Sequence, residues 1–165
     1  MVLLDYPERH HVKAAIGWAE LGSFDEATAE LAKLPEQYRE NPEVLDVEWK
    51  IRAGLKQWDG ALAIAECILS KLPEQVAGWI HRSYSLHELN RTNDAMECLL
   101  PAFRKFPDDF IVPYNLACYA CQMGNLIDAK TWVERAIKRG DRNTVKKMAL
   151  GDEDLAALWT EIERL

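Results

Sequence analysis

Two thiols three residues apart are the first residues in this sequence that could do chemistry. Cys118 and Cys121 lie in the stretch YNLACYACQMGNL. A C-x-x-C pair can hold zinc or run a thiol–disulfide cycle. On a helix the two side chains would share one face. A redox pair works at a helix N-terminus after a strand, where the dipole lowers the thiol pKa. This pair reads as mid-helix, in a chain with no strand pattern. Zinc needs four ligands, and His87 and Cys98 are the nearest further donors in register. The context fits neither chemistry, so no metal and no redox centre is expected. Cys67 and Cys98 read as small buried apolar residues.

Other signatures of catalysis fail in the same way. HELNR at 87–91 begins like H-E-x-x-H but carries Arg91 where the second His should stand. No G-x-G-x-x-G, no G-x-x-x-x-G-K-S/T and no G-x-S-x-G occurs. His10 and His11 are adjacent and would point to different faces of a helix. Nothing pairs a nucleophile with a base and an orienting group. No enzyme activity and no cofactor is expected.

Composition bounds the partners. The 165 residues are 48% apolar and 28% charged, ordinary for a globular protein, with a net charge of −7. That sign argues against general affinity for nucleic acid. The apolar runs are too short for a membrane span, and the N-terminus lacks the basic and apolar regions of a signal peptide. A cytoplasmic protein with reduced thiols is the expectation. Charge is unevenly spread. Residues 130–147 carry seven basic side chains against two acidic ones, so this stretch is +5 and the remainder −12. A solvated helix pair explains that. A basic end formed by Arg135, Lys138, Arg139, Arg142, Lys146 and Lys147, docking on an acidic partner, is the sharper reading.

The elements that must position these groups repeat. Ala27, Ala61, Ala95 and Ala129 are spaced by 34 residues. Leu21, Leu55, Leu89 and Met123 keep the same phase, as do Phe24, Trp58, Thr92 and Leu126. So do Leu31, Ala65, Leu99 and Val133, and then Leu34, Ile68, Ala102 and Ala136. Each copy reads as two helices. The first ends at the Leu/Met column, followed by Gly22, Lys56, Asn90 or Gly124, and Gly and Asn readily take the left-handed conformation that closes a helix. The second starts near Asp25, Asp59, Asn93 or Asp128. Pro35 should shorten the second helix of the first copy, and Pro101 should kink that of the third.

These stretches (ELGSFDEATAEL, GLKQWDGALAIA, ELNRTNDAMECL and QMGNLIDAKTWV) resemble the tetratricopeptide repeat family. The resemblance implies an all-α solenoid, a right-handed superhelix of four helix–turn–helix repeats at about 8–41, 42–75, 76–109 and 110–141. A C-terminal cap at 142–165 completes a single domain over 1–165. Ala15, Ser83 and Ala117 occupy the small position where paired helices cross, and the second copy departs with Trp49. The first helices then line a concave face. Its first two copies are charged (Arg9, Lys13, Glu43, Asp46 and Lys50), and its last two are apolar and aromatic. There the groove residues are Ile80, Tyr84, His87, Tyr114, Asn115, Cys118, Cys121 and Gln122.

That surface implies a non-catalytic protein-binding adaptor, expected to be a monomer. Ile16 stands where a chaperone-tail clamp needs Asn, so that subfamily is not expected. The YNLACYACQMGNL and MALGDEDLAALW segments are similar to small bacterial repeat proteins. Among them is the bacterial kinesin light chain type, which implies a bacterial tubulin polymer as partner. The alternatives are a peptide bound in the groove and an anionic membrane surface bound by the basic end. At the C-terminus, Leu155, Leu158, Trp159, Ile162 and Leu165 form one apolar stripe. It is read as a helix covering the last repeat; whether it also fills the groove is open.

Overall fold

In the computed structural model, residues 4–165 are described. Met1, Val2 and Leu3, part of the N-terminal stretch read above, lie outside them. The described residues form α-helices joined by short turns, with no strand among them. The helices are α1 (Glu8–Glu20), α2 (Phe24–Ala32), α3 (Pro42–Gly54), α4 (Trp58–Lys71) and α5 (Val76–Glu88). They continue as α6 (Thr92–Lys105), α7 (Ile111–Gln122), α8 (Leu126–Arg139), α9 (Arg142–Leu150) and α10 (Trp159–Arg164). Among the described residues, the 3-10 turns Glu36–Tyr38 and Glu153–Leu158 join these helices. The chain divides into two compact units, Met1–Ser85 and Leu86–Leu165, and the division falls inside α5.

Four hairpin turns obey one rule. Gly22, Lys56, Asn90 and Gly124 all adopt φ between 56° and 79°. In the first turn the Gly22 N–H donates to the Ala19 carbonyl and the Ser23 N–H to that of Trp18. Equivalent pairs close the turns at Lys56, Asn90 and Gly124. This is the Schellman closure, which satisfies carbonyls that the helix end would leave unpaired. Lys56 takes the left-handed conformation although it carries a Cβ. The residues read as helix starts lie just inside the second helices, where Asp25, Asp59 and Asp128 complement the dipole; the helices themselves begin at Phe24, Trp58, Thr92 and Leu126.

In the first unit, Ala15, Ala27, Ala61 and Ala65 are wholly buried, as are Val12 and Val47. A small side chain at each crossing lets two backbones approach, and stacked hairpins bury one another. Gly78 shows how close: a Cβ there would lie 2.9 Å from the Leu69 backbone. The second copy accommodates Trp49 by laying it flat on His81, ring centroids 3.7 Å apart at 9°. The indole N–H donates to Ser85 Oγ at 3.1 Å. As expected, α2 stops before Pro35, and the link holds the 3-10 turn Glu36–Tyr38.

In the second unit, Ala95, Leu99 and Ala102 of α6, Val112, Leu116 and Ala117 of α7, and Ala129, Val133 and Ala136 of α8 are wholly buried. Pro101 lies on an exposed face, and α6 continues through it. The Leu/Met column keeps its register and sits at helix ends, where Leu21, Leu55 and Met123 are exposed. One reading needs correction. Cys67 and Cys98 are only half-buried, since each stands at the edge of the helix face that packs.

Candidate functional site

The C-terminal tail is where the thiol pair finds its partners. It is not one helix. After α9, Asp152 accepts the Asp154 N–H at 3.0 Å, and this turn starts the 3-10 segment Glu153–Leu158. Asx chemistry of this kind offers the backbone an alternative to helix. The segment lies along α7 within the second unit. Tyr114 Oη donates to Asp152 Oδ2 at 2.7 Å, and Cys118 Sγ approaches the same oxygen at 3.6 Å. Gln122 Nε2 donates to the Asp154 carbonyl at 3.0 Å, and the Ala157 N–H points at the Cys121 sulfur. His87, at the end of α5, donates from Nε2 to Asp154 Oδ2 at 2.9 Å, its Nδ1 held by Thr92 Oγ1 at 3.0 Å. Leu155 and Leu158 of the same segment are buried.

Tyr114, Cys118, Cys121, Gln122 and His87, five of the eight residues read as groove lining, thus meet the tail of their own chain. Tyr114, Cys118 and Cys121 are buried by it. Asn115 is half-buried on α7, and in the first unit Ile80 is half-buried while Tyr84 is 37% exposed. Tyr84 stands edge-on to Trp49 and Trp58. Asp152 and Asp154 had no role assigned to them from the sequence. The compact G-D-E-D turn was the available signal.

Electrostatics of the tail site suppress thiol chemistry. Burial, reinforced by the Asp152 and Asp154 charges, pushes the Cys118 thiol well up. Burial and the same two carboxylates raise Cys121, partly opposed by the Ala157 N–H. Burial and the bond to Asp152 raise the Tyr114 phenol. The reactive species is the thiolate, which both thiols here disfavour. Cys118, Asp152 and Asp154 do bring three possible metal donors within 4.8 Å of one another. Cys121, His87 and Cys98, the other ligands weighed above, are not in that group. One Asp152 oxygen already accepts from Tyr114 and faces the Cys118 thiol, while Asp154 accepts from His87. What the arrangement does is hold a short acidic, leucine-bearing segment.

A second concavity belongs to the first unit. A hollow of about 450 Å³ is lined by Leu4, Ile16, Val47, Ile68 and Leu72, with Arg9, Glu43 and Asp46 among its polar members. Burial would raise the Asp46 carboxyl, but hydrogen bonds from His81 (2.8 Å) and Lys50 outweigh it and hold it at about 2. Arg9 is fixed by donating Nε–H to the Leu4 carbonyl at 3.0 Å.

The basic stretch divides by role. Arg139 donates to the Phe103, Phe106 and Asp109 carbonyls and lies over the Phe103 ring at 3.7 Å, so it closes the end of α6. Arg135 stacks on Trp132 at 4.3 Å, and Lys146 donates to the Glu163 carbonyl at 2.9 Å. Lys138, Arg142 and Lys147 are exposed.

Paired helices closed by left-handed turns and crossing at buried alanines define a class, the α-solenoid of tetratricopeptide type. Comparison with known proteins agrees. The fold is similar to TTC0263, a thermophilic TPR protein in Thermus thermophilus (TM-score 0.79, 17% identity, 95% of this chain and 84% of that one). It is also similar to MamA, in one structure over 99% of this chain and 95% of that one (TM-score 0.67, 13% identity). For MamA MSR-1 the TM-score is 0.66 at 18% identity, over 84% of this chain and 79% of that one. No protein-family profile and no curated protein sequence matches the chain.

Proposed function

We propose that the chain is a non-catalytic adaptor, one repeat domain with its own C-terminal cap, that captures a protein partner on the inner faces of its first helices. The observation that carries this is the open hollow of the first unit. It combines an apolar floor (Ile16, Val47, Leu72) with charged groups (Arg9, Glu43) at its edge. Apolar contact area with a few placed polar groups is the usual make-up of a recognition surface. Ile80 and Tyr84 would extend the contact, and in the second unit the groove would comprise His87, Tyr114, Asn115, Cys118, Cys121 and Gln122. No helix among the described residues is long and apolar enough to cross a membrane, and the proposed setting is the cytoplasm.

A second reading is favoured by the exposed Lys138, Arg142 and Lys147. An acidic polymer of bacterial tubulin type, or an anionic membrane, would dock there as the kinesin-light-chain resemblance implies. The experiment is capture of partners by the immobilised chain, followed by mass spectrometry. Ile16→Gln and Glu43→Lys are compared with the triple change Lys138→Glu, Arg142→Glu and Lys147→Glu. Loss of capture in the first pair supports the groove. Loss only in the charge-reversed chain, with strong salt dependence, refutes it in favour of the basic end. Unchanged capture in all three refutes both.

A further inference from the structure

The inner face of α7 already holds a peptide, and the way it does so specifies a ligand. Side chains and backbone of the 3-10 segment that follows Asp152 are both engaged. A carboxylate (Asp152) receives a phenol hydroxyl, and a second carboxylate (Asp154) receives an imidazole N–H. A backbone carbonyl receives the Gln122 amide. A backbone N–H points at the Cys121 sulfur. Leu155 and Leu158 are wholly or almost wholly buried. Tyr114, Cys118, Cys121 and Gln122 come from one helix at spacings of three and four, so they form a single stripe. The contacts read side chains at alternate positions of Asp-x-Asp and two leucines three residues apart, and they also read the backbone.

From this juxtaposition of Tyr114, Cys121, Gln122 and His87 with the Asp152–Leu158 segment, we infer that the α7 face is a receptor for protein segments of the form Asp-x-Asp-Leu-x-x-Leu, with the chain's own tail as its resting occupant. The partner is a protein carrying an exposed acidic, leucine-bearing segment. Because the tail is tethered, it competes at an effective concentration in the millimolar range. A free segment therefore binds weakly until the internal copy is loosened, since apparent affinity scales with the fraction of open groove. The inference rests on the adaptor reading, extended to the second unit.

The test uses the full chain and one defined probe, a fluorescein-labelled peptide GDEDLAALWTEIERL, with a scrambled peptide as control. Anisotropy titrations compare the wild-type chain with Asp152→Asn/Asp154→Asn. The expected result is at least a tenfold tighter Kd for the double variant, and loss of that gain when Gln122→Ala is added. Equal binding by both chains, no binding by either, or equal binding of the scrambled peptide overturns the proposal. Should the double variant lose its helical circular dichroism, the wild-type chain decides. Excess peptide must then speed hydrogen exchange at the Asp154 and Ala157 amides, and unchanged exchange overturns the proposal. A wild-type dimer that dissociates on adding the peptide would place a second copy's tail in the groove and would also overturn the assignment. The assay involves no surface of the first unit, so its failure is distinct from a failure of capture by Ile16→Gln and Glu43→Lys.

Discussion

Two glycines five residues apart test whether backbone conformation or packing governs the hairpins. Gly17 lies inside α1, and Gly22 closes the turn after it at φ 75°. A Cβ added at either position meets nothing within 4 Å. Packing therefore contributes equally, and only backbone conformation separates them. At Gly17 an alanine should stabilise by about 0.5–1 kcal/mol, because glycine costs that much in a helix interior. At Gly22 an alanine must hold the left-handed conformation, which costs ~1–2 kcal/mol. The smaller entropy of its unfolded chain offsets part of this, leaving a loss of about 1 kcal/mol. The two variants should differ by about 2 kcal/mol, or roughly 4–8 °C in Tm for a chain of this size. Thermal and urea melts of Gly17→Ala and Gly22→Ala, read by far-UV circular dichroism, make the measurement. Shifts of the same sign would refute the claim that turn conformation holds the first hairpin.

Three further outcomes follow from the packing and the charges. Gly78→Ala should cost about 1–3 kcal/mol, because its Cβ would meet the Leu69 backbone and not a movable side chain; a melt within 1 °C of wild type would contradict this. Asp46 is held at about 2 by His81 and Lys50. Its folded pKa lies below the unfolded one, so its contribution is complete above about pH 4 and fades as pH falls towards 2. Asp46→Asn should cost about 1–2 kcal/mol at pH 7, allowing for partial solvent screening. Tm measured from pH 7 to pH 2 should fall less steeply for this variant, and parallel curves would exclude the effect. A thiol reagent at pH 7.5 should modify the half-buried Cys67 and Cys98 before Cys118, whose thiol is buried beside two carboxylates; peptide mapping showing Cys118 among the first sites would reverse that reading.

Much of the fold was readable because its physics is local and repeated. The Ala column marks places where only a small side chain lets two helices cross, and such a constraint recurs with the period of the hairpin. The left-handed closures were readable at Gly22, Asn90 and Gly124 from residue type alone. Lys56 was readable only by register, since nothing in a lysine announces φ 56°. Exposure of Leu21, Leu55 and Met123 was not readable, because a helix-end position can keep its periodic phase without being covered. Trp49 broke the small-residue pattern, and the compensating ring was His81, 32 positions later, in a column whose residue type is not kept from copy to copy.

The candidate site was half readable for a related reason. Register named the stripe Tyr114, Cys118, Cys121 and Gln122, because first-helix faces recur. It could not name Asp152 and Asp154, which belong to no repeat. The contacts they make span 34 and 67 residues, from Cys118 to Asp152 and from His87 to Asp154. The physical cause lies in α9. It has nine residues, whereas α7 has twelve and α8 fourteen. A helix that short cannot cover the last hairpin as another full hairpin would. The chain turns back at Asp152, and the face of α7 takes a segment in 3-10 conformation in place of a helix. A 3-10 segment presents its carboxylates and a free carbonyl within one turn, and the polar members of the α7 stripe are spaced to bind them. The polar stripe and the short cap therefore share one cause, and lengthening α9 by one helical turn should expose Cys118 and Cys121 to thiol reagents by displacing Asp152 from Tyr114.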